Sequence, residues 1–182
     1  MFTPDSFKDL GSRSAIDLAL MRYKVKGTIR KLARGLYDYP RMDSVLGAMS
    51  PSIDDIARAL AGRDVTKIQP SGAHAANLLG LTTQVPMKVV YLTDGRSRTV
   101  QVGNRQIVLQ HREPKSLATA GKISGLVIQA LKYLGREYID DQVIEQLDRR
   151  LSERDRGQLL KDVRHAPEWI ASIFRKLGGE RI

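Results

Sequence analysis

The stretch that most restricts how this chain can fold runs from Ser12 to Tyr39, where a segment of helical period is followed by two short β-prone runs. Ser12 is a residue type that caps a helix N-terminus with its side-chain oxygen. Gly27 stands where a helix ending near Lys26 needs a residue tolerant of left-handed backbone. At 100° per residue, Ala15, Ile16, Ala19, Leu20 and Tyr23 share one face, the one expected to be buried. The opposite face carries Arg13, Ser14, Asp17, Leu18, Met21 and Lys24, with Arg22 at its edge. A leucine and a methionine looking outward point to a face that meets a partner. Beyond Gly27, two β-prone runs flank Arg34-Gly35, and Gly35 supplies the positive φ that a tight hairpin needs.

Upstream, Thr3 to Gly11 reads as a short helix, with Phe7 and Leu10 as its core contacts and Gly11 as the turn into Ser12. Short helix, glycine turn and amphipathic helix make a helix-turn-helix pattern, and the basic hairpin after it stands where a wing would. Pattern alone leaves an ordinary helix and hairpin inside some α+β domain equally open. Charge tips the balance: residues 1–41 hold nine Lys/Arg against four Asp, a net of +5.

The same bias runs through the whole chain. Its 182 residues suffice for one large or two small domains, and the net charge of +10 favours a polyanionic partner, nucleic acid ahead of an anionic membrane. There is no cysteine, which excludes a disulfide framework and thiolate chemistry and fits a reducing cytoplasm. The start Met1-Phe2-Thr3-Pro4-Asp5 has neither a basic nor an apolar signal region, and no window approaches the ~20 apolar residues of a membrane span. A cytoplasmic protein with no membrane role is expected.

The two prolines and the Gly/Ser content of residues 39–51 read as a connection, placing a boundary near Pro51. The expected fold is α+β: a winged helix-turn-helix with its linker over residues 1–50, then a mixed domain over 51–182. Ser52 caps an amphipathic helix to Gly62, Val65 to Ile68 is a candidate strand, and Ser71 to Leu81 is an Ala-rich helix. Met87 to Leu92, Arg98 to Val102 and Ile107 to His111 read as an antiparallel three-stranded meander. The chain is helical from Leu117: Ser124 to Leu134, Asp140 to Leu151, Leu151 to Val163 and a last helix opened by Pro167. Residues 137–162 carry eight acids and five bases, so the basic character belongs to the other end.

No phosphate-binding glycine loop occurs, and His74, His111 and His165 lack partners at metal-ligand spacing. Asp54-Asp55 and Asp140-Asp141 sit at helix starts, where capping accounts for them. Neither a catalytic residue, a metal nor a cofactor is expected, and an enzyme is disfavoured.

Gly11-Ser12-Arg13-x-Ala15-Ile16 with Arg22, Gly27 and Arg34-Gly35-Leu36-Tyr37 resembles the N-terminal winged helix of AbiEi-like antitoxins. Ser71-Gly72-Ala73-x-Ala75-Ala76-Asn77-x-Leu79-Gly80-Leu81 and Tyr91-Leu92-Thr93-Asp94-Gly95 resemble the second domain of that family, the more specific part of the match. Met21 and Tyr23 differ from the Ser and Leu expected at those places. The resemblance spans most of residues 3–134. It implies an antitoxin of a bacterial type IV toxin–antitoxin pair that represses its own operon and counteracts a nucleotidyltransferase-type toxin, with or without direct contact. A homodimer on inverted repeats fits that picture. A stand-alone winged-helix transcriptional regulator and a module for structured RNA are the other readings.

On double-stranded operator DNA, Arg13, Lys24, Arg30 and Lys31 are assigned mainly to phosphates. Ser14, Asp17, Leu18 and Met21 are assigned to base edges, with pairing to Arg13 or Lys24 as the alternative for Asp17. Arg22 is either a contact or a structural ion-pair partner. Arg34, at the tip of the wing, is the foremost contact.

Overall fold

A computed structural model describes residues 1–62 and 67–179 and shows a mixed α+β architecture of helices and small sheets. The first helix, α1 (Arg13–Val25), starts where Ser12 Oγ accepts the Ala15 N–H at 3.3 Å. It stops in a paired C-terminal turn: Gly27, at φ +72°, donates to the Lys24 carbonyl and Thr28 donates to that of Tyr23. The hairpin follows as β1 (Arg30–Ala33) and β2 (Leu36–Asp38), turned by Arg34-Gly35 with Gly35 at φ +69°. Phe2 exchanges two backbone hydrogen bonds with Tyr37, and its ring stacks on that of Tyr37 and meets Phe7 edge-on.

The core of this first unit is small. Ile16, Leu20 and Ile29 are buried against Phe2, Phe7 and Tyr37. The helix expected over Thr3 to Gly11 is a single 3₁₀ turn at Pro4–Phe7, closed by reciprocal bonds between Thr3 and Ser6. One turn covers one pair of side chains, so Phe7 packs inward but Leu10 stands 80% exposed and is no core residue. For the same reason Ala15, Ala19 and Tyr23 are not buried: no second helix lies over that side of α1.

Residues 39–51 are more than a connection. Met42–Asp43 (β3) pairs antiparallel with Gly47–Ala48 (β4), and the Asp43 carboxylate closes the turn by accepting from the Val45 and Leu46 amides at 2.8 and 2.9 Å. Those two bonds hold the Asp43 carboxyl below its ordinary pKa. The tip they fix displays Val45, 87% exposed, and Leu46.

The central sheet corrects the expected meander. Its strands β5 (Ile68–Ser71), β6 (Lys88–Thr93), β7 (Arg98–Val102) and β8 (Arg105–His111) lie in the order β5-β6-β8-β7, and β6 runs parallel to β8. The tight turn at Gly103-Asn104 folds β8 back between its two predecessors. Burial explains the choice: β8 carries the fully buried Ile107 and Leu109, whereas Thr99 and Gln101 of β7 tolerate an edge. The loop of residues 94–97 crosses over the end of β8 and is pinned there, the Ser97 hydroxyl accepting from the His111 amide and His111 Nδ1 meeting the Gly95 carbonyl at 2.9 Å. Residues 63–66, which include Val65 and Thr66 of the candidate Val65 to Ile68 strand, lie outside the described residues.

One face of the sheet packs on α2 (Ile53–Ala61), whose Ile56, Ala57 and Leu60 meet Val89, Tyr91, Ile107 and Leu109. Leu36 of β2, fully buried, belongs to this cluster and not to the core beneath α1. Packing therefore continues across the boundary expected at Pro51.

The helical remainder comprises α3 (Gly72–Leu78), α4 (Ile123–Leu134), α5 (Asp141–Arg150), α6 (Glu153–Lys161) and α7 (Glu168–Leu177). Val127, Leu131, Leu147, Leu159, Ile170 and Phe174 close its core. Gly125 lets α4 approach the preceding loop: a Cβ there would lie 2.2 Å from the Thr119 carbonyl oxygen. Buried Asp162 accepts from Ser124, Gln158 and Lys122, bonds that outweigh its burial and keep its carboxyl below the ordinary range.

Candidate nucleic-acid interface

The residues singled out from the sequence fall into two groups. On α1, Ser14, Leu18, Met21, Arg22 and Lys24 are all exposed, Met21 by 59%. A helix designed only to be solvated would place polar residues there, so this mixed surface is suited to a complementary partner. On the hairpin, Lys31 and Arg34 are exposed, and Arg34 occupies the turn itself.

Three candidates are engaged otherwise. Arg13 donates through Nε to Asp17 and through Nη1 to Asp5, each at 3.0 Å, so Asp17 takes up the alternative of pairing within its own helix. All three side chains are largely exposed, and such pairs contribute little to stability because water screens them. They can reorganise when a phosphate arrives. Arg30 differs: it pairs with the buried Asp38 and donates to the Met49 carbonyl, tying β1 to the segment just after β4. Arg30 is thus engaged as a brace for the two hairpins. Its type and place in a basic run gave no sign of this, because Met49 is far along the chain.

A further cation was missed. The hairpin lies against β7, and a Cβ built on Gly35 would sit 3.6 Å from Arg98 Nη2, so the Arg98 guanidinium reaches the turn that carries Arg34. The signal was present, since residues 88–115 hold six Lys/Arg against two acids, a second basic block of +4.

Two concave surfaces flank the hairpin. An apolar groove of about 480 Å³ runs along α1 between Phe7, Ala15, Ala19, Tyr23 and Ile29. A cleft of about 830 Å³ with a mixed lining separates the first unit from α2, its charged residues Asp38, Arg41, Asp55 and Arg58 standing among apolar ones such as Phe2, Phe7 and Met49.

Beneath this region, Asp54 stands in the first turn of α2, as its place in the sequence predicts, and has a second role. It accepts from the Tyr91 hydroxyl, whose oxygen lies 3.0 Å from His74 Nε2, so α2, β6 and α3 are joined by one polar chain. An ionised carboxylate only accepts, so the phenol donates to Asp54 and receives the Nε2–H of a neutral His74. Burial pushes the His74 pKa down, with the neighbouring Asp54 charge opposing and Arg105 reinforcing, and burial likewise pushes the Tyr91 hydroxyl up. Among the described residues, no cluster of three His, Asp or Glu side chains is placed to hold a metal ion.

These features define a mixed α+β protein whose basic, partly apolar helix and hairpin stand exposed on a sheet-and-helix body. The chain belongs to a family of unknown function, DUF6088, whose model matches residues 1–159. No curated protein and no solved structure matches it. No described helix is long and apolar enough to cross a membrane.

Proposed function

We propose that this protein is an antitoxin-type repressor: α1 and the β1–β2 hairpin act as a winged helix on double-stranded operator DNA, and the rest of the chain serves in counteracting a nucleotidyltransferase-type toxin. The observation that carries the DNA half is the outward face of α1, where Ser14, Leu18, Met21, Arg22 and Lys24 stand exposed beside a hairpin turned by Arg34. The toxin half rests on the sequence resemblance to AbiEi-like antitoxins.

In this reading α1 enters the major groove. Leu18 and Met21 touch thymine methyls, Ser14 bonds a base edge, and Lys24, Lys31 and Arg34 neutralise phosphates. Arg13 exchanges Asp5 for phosphate. Salt then competes with every such contact, and log K falls by about 0.9 for each phosphate neutralised per tenfold rise in salt.

Binding to the DNA upstream of the protein's own gene, followed by fluorescence anisotropy between 50 and 200 mM salt, tests this. Arg34→Ala should weaken operator and random duplex alike, and Met21→Ala should weaken the operator more. Salt-insensitive binding, or equal losses for both variants on both DNAs, would remove the interface. Co-expression with a nucleotidyltransferase encoded beside the gene tests the other half: no protection would leave a stand-alone winged-helix regulator.

A further inference from the structure

Arg98 stands in β7, the outermost strand of the central sheet, directly opposite Leu109 of β8. Cross-strand partners project to the same side, so Arg98 shares the face of Leu109, Val100 and Val102, the face against which Leu36 packs. That alternation carries its guanidinium to the hairpin turn and not to the far side of the sheet. There it lies within van der Waals reach of the Cβ position of Gly35, next in sequence to Arg34. Neither Arg34 nor Arg98 forms an ion pair within the described residues, in contrast to Arg13, Arg30, Arg149 and Arg156. Two cations gathered at one turn repel each other unless a polyanion lies across them. Leu36, buried beside them, fixes the turn relative to β7, so the pair is held ready before any ligand binds.

We propose that Arg98 is a second DNA-backbone contact that grips phosphate together with Arg34. The interface then continues from the hairpin onto the edge of the central sheet, and residues 51–182 take part in DNA binding. This rests on the duplex-binding reading above and deepens it: a fragment confined to residues 1–50 lacks one of the two cations at the hairpin turn.

The test uses the full chain and a fluorescent 30-base-pair duplex from upstream of its gene, titrated between 50 and 200 mM NaCl. Arg98→Gln, which keeps a polar side chain of similar reach, should lose about five- to tenfold in affinity at 100 mM and lower the salt slope by about 0.9, as one lost phosphate contact requires. Arg98→Lys should retain most of the affinity, and Arg149→Ala, on the acidic helical side, should bind as the parent does. Melting temperature is read for each variant. If Arg98→Gln unfolds, Arg98→Lys against Arg98→Met decides, since both keep an apolar stem and only one keeps the charge. Loss on Arg34→Ala with parental affinity and slope for the uncharged Arg98 variant overturns the second contact and leaves the winged-helix reading standing. Failure of the parent chain to bind the duplex at 50 mM salt overturns both.

Discussion

The first fifty residues and the C-terminal helices are built from similar helix caps and turns, yet they dispose of their apolar surface in opposite ways. Around α4 to α7, Leu131, Leu147, Leu159, Ile170 and Phe174 are sealed, and each helix sends its charges outward. In the first unit only Ile16, Leu20 and Ile29 are buried beneath α1, while Leu18, Met21, Tyr23, Val25, Val45 and Leu46 stand exposed. A folded unit gains nothing for its own stability from apolar groups left in water. The difference sets the body, residues 51–182 with their sealed sheet and helices, apart from the first unit, which leaves apolar side chains in water.

The strongest way to break that division is at Leu36, which sits in the first unit but packs in the body. Leu36→Ala should cost about 2–5 kcal/mol in urea unfolding and shift the whole transition, the range for a truncated, fully buried leucine. A separate low transition with the main one unmoved would show two independent parts. Within the body, Gly125→Ala should cost about 1–3 kcal/mol, since its methyl would meet the Thr119 carbonyl and Gln69 Oε1 at 2.2 and 2.5 Å.

Acid should loosen the seating of α2 and α3 on the central sheet through His74. Its pKa is lower folded than the ordinary 6.5, so the unfolded chain binds the proton first and stability falls as pH drops below about 6.5. One group can contribute a slope of at most about 1.4 kcal/mol per pH unit. His74→Gln should flatten unfolding curves taken from pH 7.5 to 5.5; an unchanged slope would place the acid sensitivity elsewhere. The smallest effect sharpens the contrast most. Leu18→Ser combined with Met21→Ser should move stability by no more than about 0.5 kcal/mol per site. A loss above 2 kcal/mol would mean that the outer face of α1 is packed and not presented.

What the residues alone made legible was local. Ser12 and Gly27 bound α1, Ser52 opens α2, Asp140 caps its helix, and Arg34-Gly35 turns a hairpin, each through bonds that span a few residues. What escaped depends on distance. The parallel pairing of β6 with β8 is decided by which strand the core rewards for burial, and no turn signal encodes it. The second role of Asp54 escaped because Tyr91, which donates to it, is remote in sequence, as is the His74 that bonds Tyr91. The site was half legible in the same sense: exposed α1 residues and Arg34 follow from helical period and turn chemistry, whereas the engagement of Arg30 with Met49 and the arrival of Arg98 at Gly35 are tertiary facts.

The rooting of Leu36 also sets how the hairpin breathes. Backbone amides exchange with solvent through local openings, each costing what the contacts broken are worth. The bonds between β1 and β2 would otherwise belong to a short two-stranded ribbon, a kind of element that opens readily. With Leu36 seated in the cluster of Tyr91, Ile107 and Leu109, the ribbon opens only when the sheet gives way, whereas α1, packed through few residues on Phe2, Phe7 and Tyr37 of its own unit, frays by itself. Deuterium should therefore enter α1 early and β2 late, although the two lie barely ten residues apart.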